Sequence, residues 1–218
     1  MKKVAILYLN TGGGHIAYAR ALQKGIKRKY PDSEVILFNP ITDKIVLKAI
    51  IEYGYSLTMK NTYTGSIFDH LAKIWNREQP RHISGKVLSL SLESSFEDFF
   101  LTHHFDYVIS THFFLSNSAL NTLNALHSEA KFFHLVADPF TPHEIWFDIK
   151  GCTYLVESEK VKKMCLNHEI PEEDIRVFPM ILDEKFSTQL SPSKKMTIKK
   201  SFALSPKQKV VLIIGGGE

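Results

Sequence analysis

The sequence predicts an α/β fold in which a parallel sheet carries helices on both faces. Two observations support this prediction. Short, continuous apolar runs recur along the chain, as expected of strands whose two faces are both buried. Most of these runs are followed by a segment with apolar residues at helical spacing, and regular alternation of strands and helices produces a parallel sheet.

The predicted elements begin with a βαβ unit. Residues 4–9 form an unbroken apolar run before Gly12, and residues 16–30 have the apolar spacing of a helix that Pro31 ends. A second strand is predicted at 35–38. Further along the chain, strands are predicted at 107–110, 131–136, 154–156 and 175–178, and helices at 117–126 and 159–167.

The chain divides into three predicted parts. Residues 1–182 form an N-terminal domain, in which 42–100 have helical patterning and no clear strand, as a helical insertion would. Residues 183–208 are rich in Ser, Pro and Lys and are predicted to be a linker. Residues 209–218 form another buried-strand run that enters a Gly-rich turn, so we expect the first strand of a truncated second domain there.

The composition indicates a folded, cytoplasmic protein. Apolar residues make up 44% and charged residues 23%, as in globular proteins, and the net charge of +4 is too small to indicate a nucleic-acid partner. Two cysteines are too few for a disulfide framework. No stretch approaches the ~18 apolar residues of a membrane span. The ten histidines contain no His-Glu-x-x-His pattern, so no metal is expected.

A glycine-rich segment between the first strand and the first helix is the first candidate site. Glycine lets the backbone come close to a ligand, and a helix N-terminus favours negative charge. Gly12-x-Gly14-x-x-Ala17 formally matches a dinucleotide fingerprint, but the second strand ends at Asn39 without the acidic residue that would bind the ribose. No P-loop lysine follows. A simple turn is the other interpretation, although His15 would then be exposed at the helix start.

Four segments together resemble a known family. They are 11–15 (TGGGH), 138–147 (DPFTPHEIWF), 176–178 (RVF) and 214–218 (IGGGE). They occur in the same order in the diacylglycerol glycosyltransferases, which include plant-type monogalactosyldiacylglycerol synthases and bacterial processive diacylglycerol glucosyltransferases. The chain resembles this family over nearly its whole length. It departs at Ala137, where the family tends to have Thr, and at Pro179-Met180-Ile181, where a Gly-x-Pro turn is usual.

The resemblance implies a GT-B architecture, with two Rossmann-like domains that face each other across a cleft. It implies a UDP-sugar-dependent hexosyltransferase that transfers a hexose to diacylglycerol, with the UDP-sugar as donor substrate and no further cofactor. This chain would be the acceptor-side half and inactive alone. A lipid-linked N-acetylglucosamine transferase of cell-wall synthesis, or a non-catalytic lipid- or nucleotide-binding module, are the alternative interpretations.

The resemblance implies two candidate catalytic residues, His15 and Asp138. Histidine has a suitable pKa for a general base, and His15 stands at the start of a helix. Asp138 follows the strand at 131–136, and in open α/β sheets ligands bind beyond the carboxyl ends of strands. It is interpreted as a base or as a partner for His15. The alternatives are a capping or exposed histidine and an Asx turn before Pro139.

Further residues would bind the two substrates. The candidate acceptor-binding residues are Gly13, Gly14, His112, His143 and Trp146. The candidate donor-binding residues are Gly215, Gly216, Gly217 and Glu218. His112 follows a predicted strand and belongs to the same sheet edge as Asp138, whereas Trp146 fits the core equally well.

The segment 42–90 is both apolar and basic, which suits a peripheral enzyme on the inner face of the membrane. Its apolar side chains would enter the interface, and its lysines would meet an anionic membrane surface. Ordinary packed helices with solvated lysines are the other interpretation.

Overall fold

The computed structural model describes residues 1–10, 12–41 and 92–213. Within them, six parallel strands form a sheet in the order β2-β1-β3-β4-β5-β6. The strands are β1 (Lys3–Leu7), β2 (Glu34–Phe38), β3 (Tyr107–Ser110), β4 (Lys131–Leu135), β5 (Thr153–Val156) and β6 (Ile175–Val177). The order reverses at β1, which pairs with β2 on one side and with β3 on the other. This Rossmann-like sheet confirms the predicted fold class.

Helices follow most of the strands. They are α1 (Gly12–Lys29), α2 (92–102), α3 (Phe113–Ala125), α4 (Glu159–Asn167) and α5 (Pro192–Ser201). Short 3-10 helices cover Glu144–Phe147, Glu172–Asp174 and Glu184–Phe186. Serine caps begin two of the helices, since Ser158 Oγ accepts from the Val161 N–H and Ser191 Oγ from the Lys194 N–H. None of the helices in these described ranges is long and apolar enough to cross a bilayer.

Apolar cores lie on opposite faces of the sheet. Alternate residues of β1 divide between them, with Val4 and Ile6 on the face covered by α1, and Ala5 and Leu7 on the other face. The second core also contains apolar residues of α2, α3 and α4. Because both faces of β1 are buried, its sequence is a continuous apolar run rather than an alternating one.

The strands and helices predicted within residues 4–38 and 107–178 are confirmed, with differences at their ends. Strand 107–110 and helix 159–167 agree with the structure at both ends. The first helix begins at Gly12 rather than at residue 16, and the third at Phe113 rather than at 117. The triple-glycine segment is therefore the first turn of α1 and not a loop that precedes it, a correction to the sequence prediction.

The end of the described chain also differs from the prediction. Residues 209–213 form no strand, and the side chains of Val211, Leu212 and Ile213 are 85%, 78% and 89% exposed. A strand obtains its hydrogen bonds from neighbours, and this apolar run pairs with none of the six strands described above. The predicted linker at 183–208 contains α5, a helix with no buried residue. Most of the predicted helical insertion (42–91) and the segment 214–218 lie outside the described residues.

Candidate active site

The candidate site lies at the carboxyl ends of β1 and β3, where the strand order reverses. Ligands of open α/β sheets bind at this switch point. Two histidines meet there, His15 in the first turns of α1 and His112 directly before α3, with ring centroids 4.4 Å apart. They come together because β1 and β3 are adjacent in the sheet, although 96 residues separate His15 from Thr111, to which it is hydrogen-bonded.

His15 is held in one tautomer. Its Nδ1 lies 2.9 Å from the Thr111 carbonyl oxygen, and since a carbonyl only accepts, Nδ1 must donate. In the neutral ring the lone pair is then on Nε2. Burial lowers the pKa of His15 below its usual value, although the Thr111 carbonyl acts in the opposite direction. A neutral histidine with a basic Nε2 is the form that a general base requires.

Gly14 directly precedes His15 in the first turn of α1. Among the described residues, a β-carbon built on Gly14 would meet no atom within 4 Å other than its chain neighbours and the backbone of its own helix. Packing within the described part of the chain therefore does not explain the absence of a side chain. The first turn of α1, which includes Gly13, contains no acidic residue, and its N–H groups lack intrahelical partners. The positive end of α1 therefore adjoins a surface on which ligand atoms can approach the backbone.

His112 is a buried cap for α3. Its Nδ1 accepts from the Phe114 N–H at 3.3 Å, and its side chain is nearly inaccessible to solvent. In the neutral ring the proton is then on Nε2. Burial, together with the neighbouring His15 and His134, lowers the pKa of His112 well below its usual value. His112 thus packs against His15 as a neutral ring that caps α3.

Trp146 packs near the rings of both site histidines. Its ring centroid lies 6.1 Å from that of His15, 6.3 Å from that of His112 and 5.0 Å from that of Phe113. It is 5% exposed and belongs to the core. Trp146 is therefore a core residue, as one of the two interpretations expected, and its neighbours include the site histidines.

Sequence reasoning missed His134, which lies on β4 behind Trp146. Its Nε2 donates to the Trp146 carbonyl at 3.0 Å, so its Nδ1 accepts from the Ser116 hydroxyl at 2.7 Å. The ring is fully buried, and burial lowers its pKa to about 3 despite the carbonyl. A single polar residue within the apolar run 132–136 was the available signal, because buried polar groups require partners.

Asp138 follows β4 at the same sheet edge, but its hydrogen bonds remain within its own loop. Its Oδ1 accepts from the N–H groups of Phe140 at 3.2 Å and Thr141 at 3.0 Å. This is the turn role that the sequence left open. Among the hydrogen bonds of the described residues, none joins Asp138 to His15. Asp138 is also close enough to Tyr18 to affect its phenol. The pKa of Tyr18 is raised mainly by burial, next by Glu157, and least by the charge of Asp138.

Of the remaining predicted site residues, His143 is described by the structure and the four donor-binding candidates are not. His143 is exposed and caps the 3-10 helix that contains Trp146, with Nδ1 3.5 Å from the Ile145 nitrogen. Gly215, Gly216, Gly217 and Glu218 lie outside the described residues. Across the described ranges, no group of three or more His, Cys, Asp or Glu side chains could hold a metal ion.

The fold and the site define a Rossmann-like α/β domain with a histidine site at its switch point. A family model, Monogalactosyldiacylglycerol (MGDG) synthase, matches residues 15–180, which is most of the chain. The chain therefore belongs to the MGDG synthase family of glycosyltransferases, which confirms the resemblance noted from sequence.

Individual relatives agree with this assignment. The chain is 24% identical over 225 residues to monogalactosyldiacylglycerol synthase 3, chloroplastic, of Arabidopsis thaliana, covering all of this chain and 47% of that protein. It is 25% identical over 228 residues to the probable monogalactosyldiacylglycerol synthase 2, chloroplastic, of Oryza sativa subsp. indica, covering 100% and 46%. The chain thus spans about half the length of these relatives.

A search of solved structures matched the apo form of the lipopolysaccharide outer core galactosyltransferase WaaB. The TM-score is 0.48 at 14% identity, over 81% of this chain and 45% of that one.

Proposed function

We propose that this chain is the acceptor-side half of an enzyme that transfers a hexose from a UDP-sugar to diacylglycerol. The observation that carries the proposal is His15, a neutral histidine whose Nδ1 is occupied by the Thr111 carbonyl and whose Nε2 has the lone pair. Membership of the MGDG synthase family supports a glycolipid product. A GT-B architecture, with a donor-binding domain that begins at 209–218, belongs to the same proposal.

The proposed reaction requires one proton acceptor. The acceptor hydroxyl loses its proton to His15 Nε2 as its oxygen forms a bond to the anomeric carbon of the hexose. The bond between that carbon and the UDP oxygen breaks, and UDP leaves with the electron pair. The Thr111 carbonyl accepts from Nδ1–H throughout and favours the imidazolium that forms. The positive end of α1 favours negative charge nearby.

Peripheral attachment to the inner face of a membrane is part of the proposal, because diacylglycerol resides in a bilayer. The apolar and basic composition of 42–90 supports this proposal. Asp138 keeps the role of a candidate second catalytic group, while Gly13, Gly14, His112, His143 and Trp146 form or support the acceptor side.

A transfer assay tests the proposed function. The longest reading frame that contains this sequence is expressed and given UDP-galactose, UDP-glucose or UDP-N-acetylglucosamine with phosphatidylcholine vesicles that contain diacylglycerol. We expect a hexosyl-diacylglycerol with at least one of the two hexose donors and none from vesicles without diacylglycerol. Absence of glycolipid with both hexose donors would contradict the proposal, and a product from UDP-N-acetylglucosamine alone would contradict its choice of sugar.

Substitutions at two glycines of α1 distinguish an effect on substrate binding from an effect on helix stability. At Gly14 and Gly25 alike, a built β-carbon would meet no atom of the described residues within 4 Å, apart from chain neighbours and the helix's own backbone. Alanine at either helical position should stabilise the chain by about 0.5–1 kcal/mol, measured by urea unfolding. Gly14→Ala should also reduce kcat/KM for transfer by about tenfold or more, because its methyl group occupies space that we assign to a substrate. Gly25→Ala is the matched control, and equal transfer by the two variants would show that no substrate approaches Gly14.

A further inference from the structure

Glu157 joins elements that are distant in the sequence. It directly follows β5 at the carboxyl edge of the sheet and is partly buried. Its Oε2 accepts from the Tyr18 hydroxyl of α1 at 2.8 Å, across 139 residues of sequence. Its Oε1 accepts from the Ile181 N–H at 2.8 Å, in the segment that leads away from β6. One carboxyl oxygen of Glu157 thus binds α1, and the other binds the segment 178–184, which we call the exit segment.

Other contacts hold the exit segment along α1. Lys24 Nζ lies 2.7 Å from Asp183 Oδ2, and Arg28 Nη1 lies 2.6 Å from Glu184 Oε1. The side chains of Lys24, Arg28 and Glu184 are about two-thirds exposed, and exposed ion pairs contribute little to stability. The bonds of Glu157 are more shielded from water, and burial raises the pKa of its carboxyl. Among these three polar links between the exit segment and α1, the link through Glu157 is the one whose residues are all at least partly buried.

The turn after β5, which contains Glu157 and Ser158, is also hydrogen-bonded to the loop that contains Asp138. Ser158, the neighbour of Glu157, donates its hydroxyl to the Pro139 carbonyl at 2.6 Å. Pro139 directly follows Asp138. Tyr18 lies three residues after His15, which places the two on neighbouring positions of α1. Through Glu157 and Ser158, one short turn therefore contacts His15's helix, the Asp138 loop and the exit segment.

We propose that Glu157 is a positioning residue that couples the exit segment to His15 through Tyr18. The exit segment continues into 185–213, the part of the chain that leads to the proposed donor side, so its position bears on how the two sides of the cleft meet. The catalytic consequence of this coupling rests on the proposed function. The structural link itself stands on the hydrogen bonds of Glu157.

Two measurements on the 218-residue chain test the link without any activity. Glu157→Ala should increase the amide exchange rate of Ile181 by about tenfold or more, because the Ile181 N–H loses its partly buried acceptor. It should also shift the imidazole NMR signals of His15. Glu157→Gln keeps an oxygen for Ile181 and should restore most of the protection. Arg28→Gln, which removes an exposed link to the same segment, is the matched control and should change neither signal.

Tyr18→Phe tests the coupling where Glu157→Ala does not fold. It removes only the hydroxyl that binds Glu157, so the His15 signals should shift while Ile181 remains protected. In the protein expressed from the longest reading frame that contains this sequence, Glu157→Ala should lower kcat by about tenfold or more and change KM much less. Unchanged Ile181 exchange and unchanged His15 signals would overturn the proposal. An absence of any transfer activity would contradict the proposed function alone, since exchange and NMR report on Glu157 independently.

Discussion

Replacement of His15 with Ala should lower the kcat/KM of glycosyl transfer by about 100-fold or more in the protein expressed from the longest reading frame that contains this sequence. Alanine removes the Nε2 lone pair that we assign as the proton acceptor, and it leaves the Thr111 carbonyl without its donor. The fold should persist, because the core under α1 is formed by Ala19 and the strands rather than by His15. Transfer to diacylglycerol vesicles at saturating donor measures the effect.

His104→Ala is the control for this experiment. His104 is exposed and precedes β3, at the edge of the sheet opposite to His15. Its removal should leave transfer unchanged. The pH profile gives a second test, since wild-type kcat/KM should fall on the acidic side as His15 takes up a proton, at a pH below the ordinary histidine value. His15→Ala should lack this limb, and near-normal turnover would make His15 a structural residue.

The strands were predictable because burial on both faces makes their sequences continuously apolar. The first residues of the helices were harder to predict. Glycine has low helix propensity, which hid the beginning of α1 at Gly12, and α3 is capped by His112 rather than by Ser, Thr, Asp or Asn. The apolar run at 209–213 resembles the other strands locally. A strand also needs neighbours, which no local pattern reveals.

The site was predictable only in part for a similar reason. Sequence assigned His15, His112 and Asp138 to one sheet edge, because each follows a predicted strand. The contact between His15 and His112 depends on the adjacency of β1 and β3, which the strand order determines. The link from Tyr18 to Glu157 spans 139 residues and has no local signature. Long-range pairs of this kind follow from topology, whereas local patterns determine the elements.

Acid should destabilise the chain through its buried histidines, with a measurable share from His134. Burial lowers the pKa of His134 to about 3, whereas an unfolded histidine has a pKa of about 6.5. Between these values the unfolded state holds about one proton more than the folded state. Folding stability is therefore lost as pH falls through the unfolded value, and the loss reaches about 2 kcal/mol at pH 5.

Urea unfolding of the 218-residue chain at pH 7.5 and pH 5.0 measures this loss. His134→Gln should be less stable than wild type at pH 7.5, because the bonds to Ser116 and the Trp146 carbonyl are disturbed. Its further loss on acidification should be smaller than that of wild type by about 2 kcal/mol. His104→Gln removes an exposed histidine and serves as the control, with the full loss retained. Equal losses for wild type and His134→Gln would show that His134 takes up a proton in the folded chain. That result would contradict the neutral form assigned to His134, whose Nδ1 accepts from the Ser116 hydroxyl.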